Sequence, residues 1–116
     1  MDDFIVFLGE LSGEYERDRM RLESEQRRDE ADLKKISRNI CTICRKEYEK
    51  LAAELSGTPL KSAYLMRLRG LEETWTEAEQ KAKEHRDAIK MLPEVTKLRT
   101  LDRIRLRYLA MGRKLP

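Results

Sequence analysis

Cys41-Thr42-Ile43-Cys44 forms a C-x-x-C pair, a spacing that suits metal or redox chemistry. A zinc site takes four nitrogen or sulfur ligands in tetrahedral geometry. The chain offers two cysteines and one histidine, His85. The helix register derived below sets His85 roughly 20 Å from Cys44 by helix rise. One chain therefore falls short of a zinc site, whereas two chains sharing both pairs across a dimer axis complete one. A redox couple places such a pair at a helix N-terminus after a strand, and no strand pattern precedes this one. The structural reading makes Cys44 a small core residue with Cys41 on its flank. His85 falls on an apolar stripe, which predicts a core histidine bonded to Asp29 or Glu30.

Other catalytic patterns are missing. Ser24, Ser37 and Ser62 lack the glycines of a nucleophile elbow. There is no glycine-rich phosphate loop. The carboxylates alternate with bases along helices, as on a solvated face. The expectation is a chain that is not an enzyme and takes no cofactor.

A second group of residues suits binding. Residues 96–116 hold seven bases and one acid, residues 1–30 ten acids and five bases, and the whole chain carries +3. Lys97, Arg99, Arg103, Arg107, Arg113 and Lys114 are the candidate contacts to a polyanion. Arg99, Arg103, Arg107 and Lys114 recur at helical spacing, so they could track phosphates with a steep salt dependence. The plainer reading is that bases at a helix C-terminus complement the helix dipole. At the other end Phe4, Ile5, Phe7, Leu8 and Leu11 are too apolar to stand in water. They need a groove, in the same bundle or in a partner chain. The partner is favoured, because a small bundle buries a modest core. This predicts protein partners and a homo-oligomer, with nucleic acid as a further partner of the C-terminal helix.

The elements that position these groups are helices. The 116 residues amount to one domain, with 41 % charged residues, 6 % aromatic residues, five glycines and three prolines. Few turns and few β-branched residues exclude a sandwich or barrel. Ser56-Gly57-Thr58-Pro59 ends one helix and starts another: Gly57 suits the left-handed C-terminal position, Thr58 a cap, Pro59 the first turn. Tyr64, Leu68, Leu71, Trp75, Ala78, Ala82, His85 and Ile89 make a heptad stripe after the break. Leu33, Ile36, Ile40, Cys44, Tyr48, Leu51 and Leu55 make one before it. The charged zone 14–30 has no proline and reads as a continuation of the first helix, with disorder as its rival.

The expectation is therefore an all-α domain. It comprises an apolar N-terminal segment 1–13 with a short helix, a long helix 14–56, a second helix 58–91 ended near Pro93, and a basic third helix 93–112. Helices 14–56 and 58–91 form an antiparallel hairpin that sets Trp75 against Ile40 and Leu71 against Cys44. The third helix packs alongside. The acidic start and the short apolar run 4–8 do not make a signal peptide, and no run reaches the roughly 20 residues of a membrane span. The expected location is cytoplasmic, without membrane contact.

Two stretches resemble the helical domain of archaeal GINS subunits, which act in the replication complex. One is Asp32-Leu33-Lys34-Lys35-Ile36 followed by Arg45-Lys46-Glu47-Tyr48-Glu49-Lys50-Leu51. The other is Leu101-Asp102-Arg103-Ile104-Arg105-Leu106-Arg107-Tyr108-Leu109, similar to that domain's basic closing helix. The chain departs from the family at Ile40-Cys41, where an aromatic pair is usual, and at Ser37, where proline is usual. The family's small β-rich domain has no counterpart. The resemblance implies a non-catalytic subunit that bridges other replication proteins. Read from the residues, the function is a helical scaffold or adaptor. The alternatives are a nucleic-acid-associated module and a zinc-bridged dimer through Cys41 and Cys44.

Overall fold

A computed structural model describes residues 2–112, and four helices account for most of them: α1 Asp3–Ser24, α2 Arg28–Ala52, α3 Gly57–Glu84 and α4 Ala88–Gly112. No strand occurs among the described residues. Asp2 caps α1, its carboxylate accepting from the Phe4 amide at 2.8 Å and the Ile5 amide at 3.4 Å. Asp87 caps α4 in the same way, accepting from the Lys90 amide at 3.1 Å.

The expected helix 14–56 is two helices. It breaks at Glu25-Gln26-Arg27, where Gln26 adopts φ +63°. The Arg27 amide donates to the Leu22 carbonyl at 2.8 Å and the Gln26 amide to the Glu23 carbonyl at 3.0 Å. These are the two hydrogen bonds of a Schellman ending. The same motif ends α3: Arg86 has φ +51°, and the Asp87 and Arg86 amides donate to the carbonyls of Ala82 and Lys83. Neither ending uses glycine, which is why composition concealed both. The second helix thus stops at Glu84, not at 91, and α4 begins at Ala88 and runs through Pro93. Pro93 lacks the N–H that would bond the Ile89 carbonyl. Ile89 is 87 % exposed, so water is at hand for that group. The separate short helix expected within 1–13 does not form either, because α1 runs from Asp3 through Gly9 and Gly13 to Ser24.

Because the chain reverses at Gln26, α1 folds back along α2. The most extensive pairings are α1 with α2 and α3 with α4, instead of one zipped seam between residues 14–56 and 58–91. Glu16 of α1 pairs with Arg38 of α2, and Asp18 lies 4.0 Å from Lys34. The α2 and α4 helices run side by side in the middle, and α1 meets α3 through side chains, Phe4 against Tyr64, without close approach of their backbones. The result is a slab of 45 × 34 × 22 Å. Ile89, expected on the apolar stripe, stands in solvent.

The core gathers at the pole where α1 and α3 begin and α2 and α4 end. Each helix contributes a ring: Phe4, Tyr48, Tyr64 and Tyr108. Phe4 lies 5.1 Å from Tyr48, 5.6 Å from Tyr64 and 4.8 Å from Tyr108 between centroids. Tilted and edge-on rings at these separations add to area burial. The buried hydroxyls find acceptors: Tyr48 donates to Asp2 at 2.5 Å and Tyr64 to the Cys44 carbonyl at 3.0 Å. Leu8, Leu11, Leu68, Leu101 and Ile104 fill the space behind the rings.

Candidate anion-binding cleft

At the opposite pole the α1–α2 turn stands beside α4, and a cleft of about 560 Å³ opens between them. Arg21, Arg27 and Lys34 come from the α1–α2 side, Arg99 and Arg103 from α4. Glu30 is the one lining carboxylate. Leu22 and Leu33 give apolar wall, and the hydroxyls of Ser37 and Thr100 lie at the floor, 5 % and 3 % exposed.

These bases differ in how firmly they are held. Arg27 pairs with Glu25 at 3.0 Å and, more closely, with Glu30. Arg21 sits 3.5 Å from Glu25 and 3.8 Å from Asp18. Lys34 sits 4.0 Å from Asp18 and Arg103 3.7 Å from Glu14. Arg99 has no carboxylate partner within 4.0 Å among the described residues. Long, exposed pairs contribute little, so all but Arg27 remain open to a new anion. Lys34 and Arg103 both lie over the Tyr15 ring, at 5.8 and 5.9 Å from its centroid. That stack orients the two cations at modest cost in rotamer freedom. The Tyr15 hydroxyl is the first cause that raises the Arg103 pKa.

Behind the cations, Thr100 Oγ1 lies 2.8 Å from Ser37 Oγ and 2.9 Å from the Thr96 carbonyl. Ser37 and Thr100 join α2 to α4 by a polar contact in an otherwise apolar seam. Their sequence signal is a polar residue interrupting the stripe on each helix.

The basic row is divided. Arg99, Arg103 and Arg107 share a face at four-residue spacing, with Arg107 over the Phe7 ring at 5.5 Å. Lys97, two residues from Arg99 and hence on the far side of the helix, pairs with Glu94 at 3.0 Å. Arg113 and Lys114 lie outside the described residues. Arg105 turns to Glu72 at 2.7 Å and Asp102 at 2.8 Å. Arg21, Arg27 and Lys34 join the cleft only because the chain reverses at Gln26. Nothing in the spacing of the bases announces them.

The other expected sites lie elsewhere. Phe4, Leu8 and Leu11 are buried in the chain's own core, with Ile5 and Phe7 packed against it. The groove assigned to a partner chain is supplied within the bundle, since α1 is long enough to lie along α2. With that cluster inside, it is not free to hold a second copy. Cys41 and Cys44 are 1 % and 0 % exposed, and burial pushes both thiols up to about 12. Neither reaches a surface where a second chain's pair could share an ion, and no group of three or more metal-ligating side chains occurs among the described residues. His85, expected in the core beside Asp29 or Glu30, is exposed at the end of α3. Trp75 is half-buried against the core.

Among the described residues, no helix is long and apolar enough to cross a membrane. The fold and the site together define a four-helix bundle with a lateral basic cleft. Comparison with family models, with curated proteins and with solved structures finds no match.

Proposed function

We propose that the chain is a non-enzymatic helical adaptor that docks a short acidic segment of a partner protein in the cleft between the α1–α2 turn and α4. The observation that carries this reading is the state of the cations. Among the described residues Arg99 has no carboxylate within 4.0 Å, and Lys34 and Arg103 are held only by long pairs, around a floor with apolar walls. Electrostatic complementarity of this kind gives fast, salt-dependent association.

A short segment is favoured over a nucleic-acid strand for two reasons. Sequence-tolerant binding of single strands relies on open aromatic platforms. Here Tyr15 is 8 % exposed beneath Arg103, and Phe7 lies under Arg107. Glu14 also flanks the row and would repel an extended polyanion. A non-catalytic bridging role is of the same kind as the resemblance to GINS helical domains implies.

The test is fluorescence anisotropy with a labelled 12-residue Asp/Glu peptide at low and moderate salt. Binding that weakens at least tenfold in the Arg99→Ser, Arg103→Ser double variant supports the reading. Absence of binding at low salt, or equal binding by the variant, overturns it. Tighter binding of a single-stranded oligonucleotide of equal charge hands the cleft to nucleic acid.

A further inference from the structure

Resting on that reading, we propose that the acidic segment carries a phosphoserine or phosphothreonine, whose phosphate seats on Ser37 between Lys34, Arg99 and Arg103. Thr100 has one hydroxyl proton and two acceptors in reach: Ser37 Oγ at 2.8 Å and the Thr96 carbonyl at 2.9 Å. If Thr100 donates to the Thr96 carbonyl, Ser37 must donate to Thr100, and both hydroxyl protons are used. Turning the chain round lets Thr100 donate to Ser37, which frees the Ser37 proton for the cleft. The cost is one back-bond to a helix carbonyl. Ser37 is therefore a buried donor that an entering anion can recruit.

Lys34, Arg99 and Arg103 line the same cleft as Ser37, and together the four offer more donors than a carboxylate can take. Arg99 and Arg103 are planar forks suited to bidentate contact, and Lys34 is a point charge. Two forks, an ammonium and a hydroxyl suit a group with three outer oxygens and a charge of about −1.5 to −2. A carboxylate offers two oxygens and a single charge, and leaves part of this set unmet.

Three labelled 12-residue acidic peptides, identical except for serine, glutamate or phosphoserine at the centre, test the proposal by anisotropy. Phosphoserine is expected to bind at least tenfold tighter than glutamate at pH 7.5. Because the second phosphate ionisation lies near pH 6, that preference should shrink to about threefold or less by pH 5. Ser37→Ala should remove most of the preference for phosphoserine over glutamate, and its helical circular dichroism and melting curve should match those of the unsubstituted protein if the variant is folded. Should Ser37→Ala fail to fold, the pH dependence of the unsubstituted protein decides. Equal affinity for phosphoserine and glutamate overturns the inference and leaves the acidic-segment reading standing. Failure of all three peptides sinks that reading as well. Inorganic phosphate displacing the peptide at the phosphopeptide's own working concentration assigns the site to a free anion and overturns the commitment to a peptide.

Discussion

Replacing Gln26 with glycine should stabilise this protein, although glycine is ordinarily a poor residue in a helical chain. At φ +63° a residue with a Cβ carries about 1–2 kcal/mol of steric cost. Glycine removes that cost but adds about 0.5–1 kcal/mol of unfolded-state entropy. The balance is a gain of about 0.5–1 kcal/mol. Gln26 is exposed, so little packing is lost with its side chain. For a domain of this size, 1 kcal/mol moves the melting midpoint by about 4 °C. Gln26→Gly should therefore raise Tm by about 2–4 °C. Arg86 sits in the same conformation in a separate turn, so Gln26→Gly with Arg86→Gly should give about 4–8 °C. Thermal unfolding followed by circular dichroism is the assay, with Gln26→Ala as control. In a continuous helix the order inverts: alanine stabilises and glycine costs about 0.5–1 kcal/mol. A lowered Tm for Gln26→Gly, or a raised one for Gln26→Ala, would refute the reversal at residues 25–27 and the cleft that depends on it.

Leu8→Ala should cost about 2–5 kcal/mol in chemical unfolding, as expected for a leucine that is 1 % exposed; an unchanged midpoint with altered association would return Leu8 to a partner surface. Cys41 and Cys44 should resist a thiol-reactive disulfide in the native protein and react at once in denaturant, because both are buried and their thiols are held up near 12. Glu16 responds to pH. Hydrogen bonds from Arg19 and then Arg38 hold its carboxyl at about 2 instead of 4.5, so its contribution is full above pH 4.5 and fades as pH falls toward 2. Acid unfolding of Glu16→Gln should show a shallower loss across that window than the unsubstituted protein, and identical profiles would contradict the pairing.

The helical class and the buried face of each helix were legible because heptad stripes survive any choice of partner. Leu101, Ile104 and Tyr108 lie on one stripe of α4, and Tyr64, Leu68 and Tyr48 are buried on theirs. The fold class followed from that periodicity together with scarce breakers. The turns did not, because Gln26 and Arg86 take a conformation that sequence rules reserve for glycine. One unmarked reversal lays residues 3–24 back along α2 and carries Phe4, Leu8 and Leu11 inside. The cleft was half visible. Arg99, Arg103 and Arg107 stood out as a row, whereas Arg21, Arg27 and Lys34 belong to it only through the three-dimensional return of the chain. Pro93 misled in the opposite direction, since a missing N–H beside an exposed turn is tolerated.

The ring cluster fastens all four helices at one pole, far along the slab from the Gln26 and Arg86 turns. Any loosening short of unfolding must then pivot about Phe4, Tyr48, Tyr64 and Tyr108, like tongs about a rivet. The jaws of those tongs are the α1–α2 turn and the first half of α4, so the gap that receives a guest sits where small rotations give the widest travel. Amides beside the rivet should exchange with solvent slowest, and those in the jaws fastest, with the difference narrowing once the gap is filled.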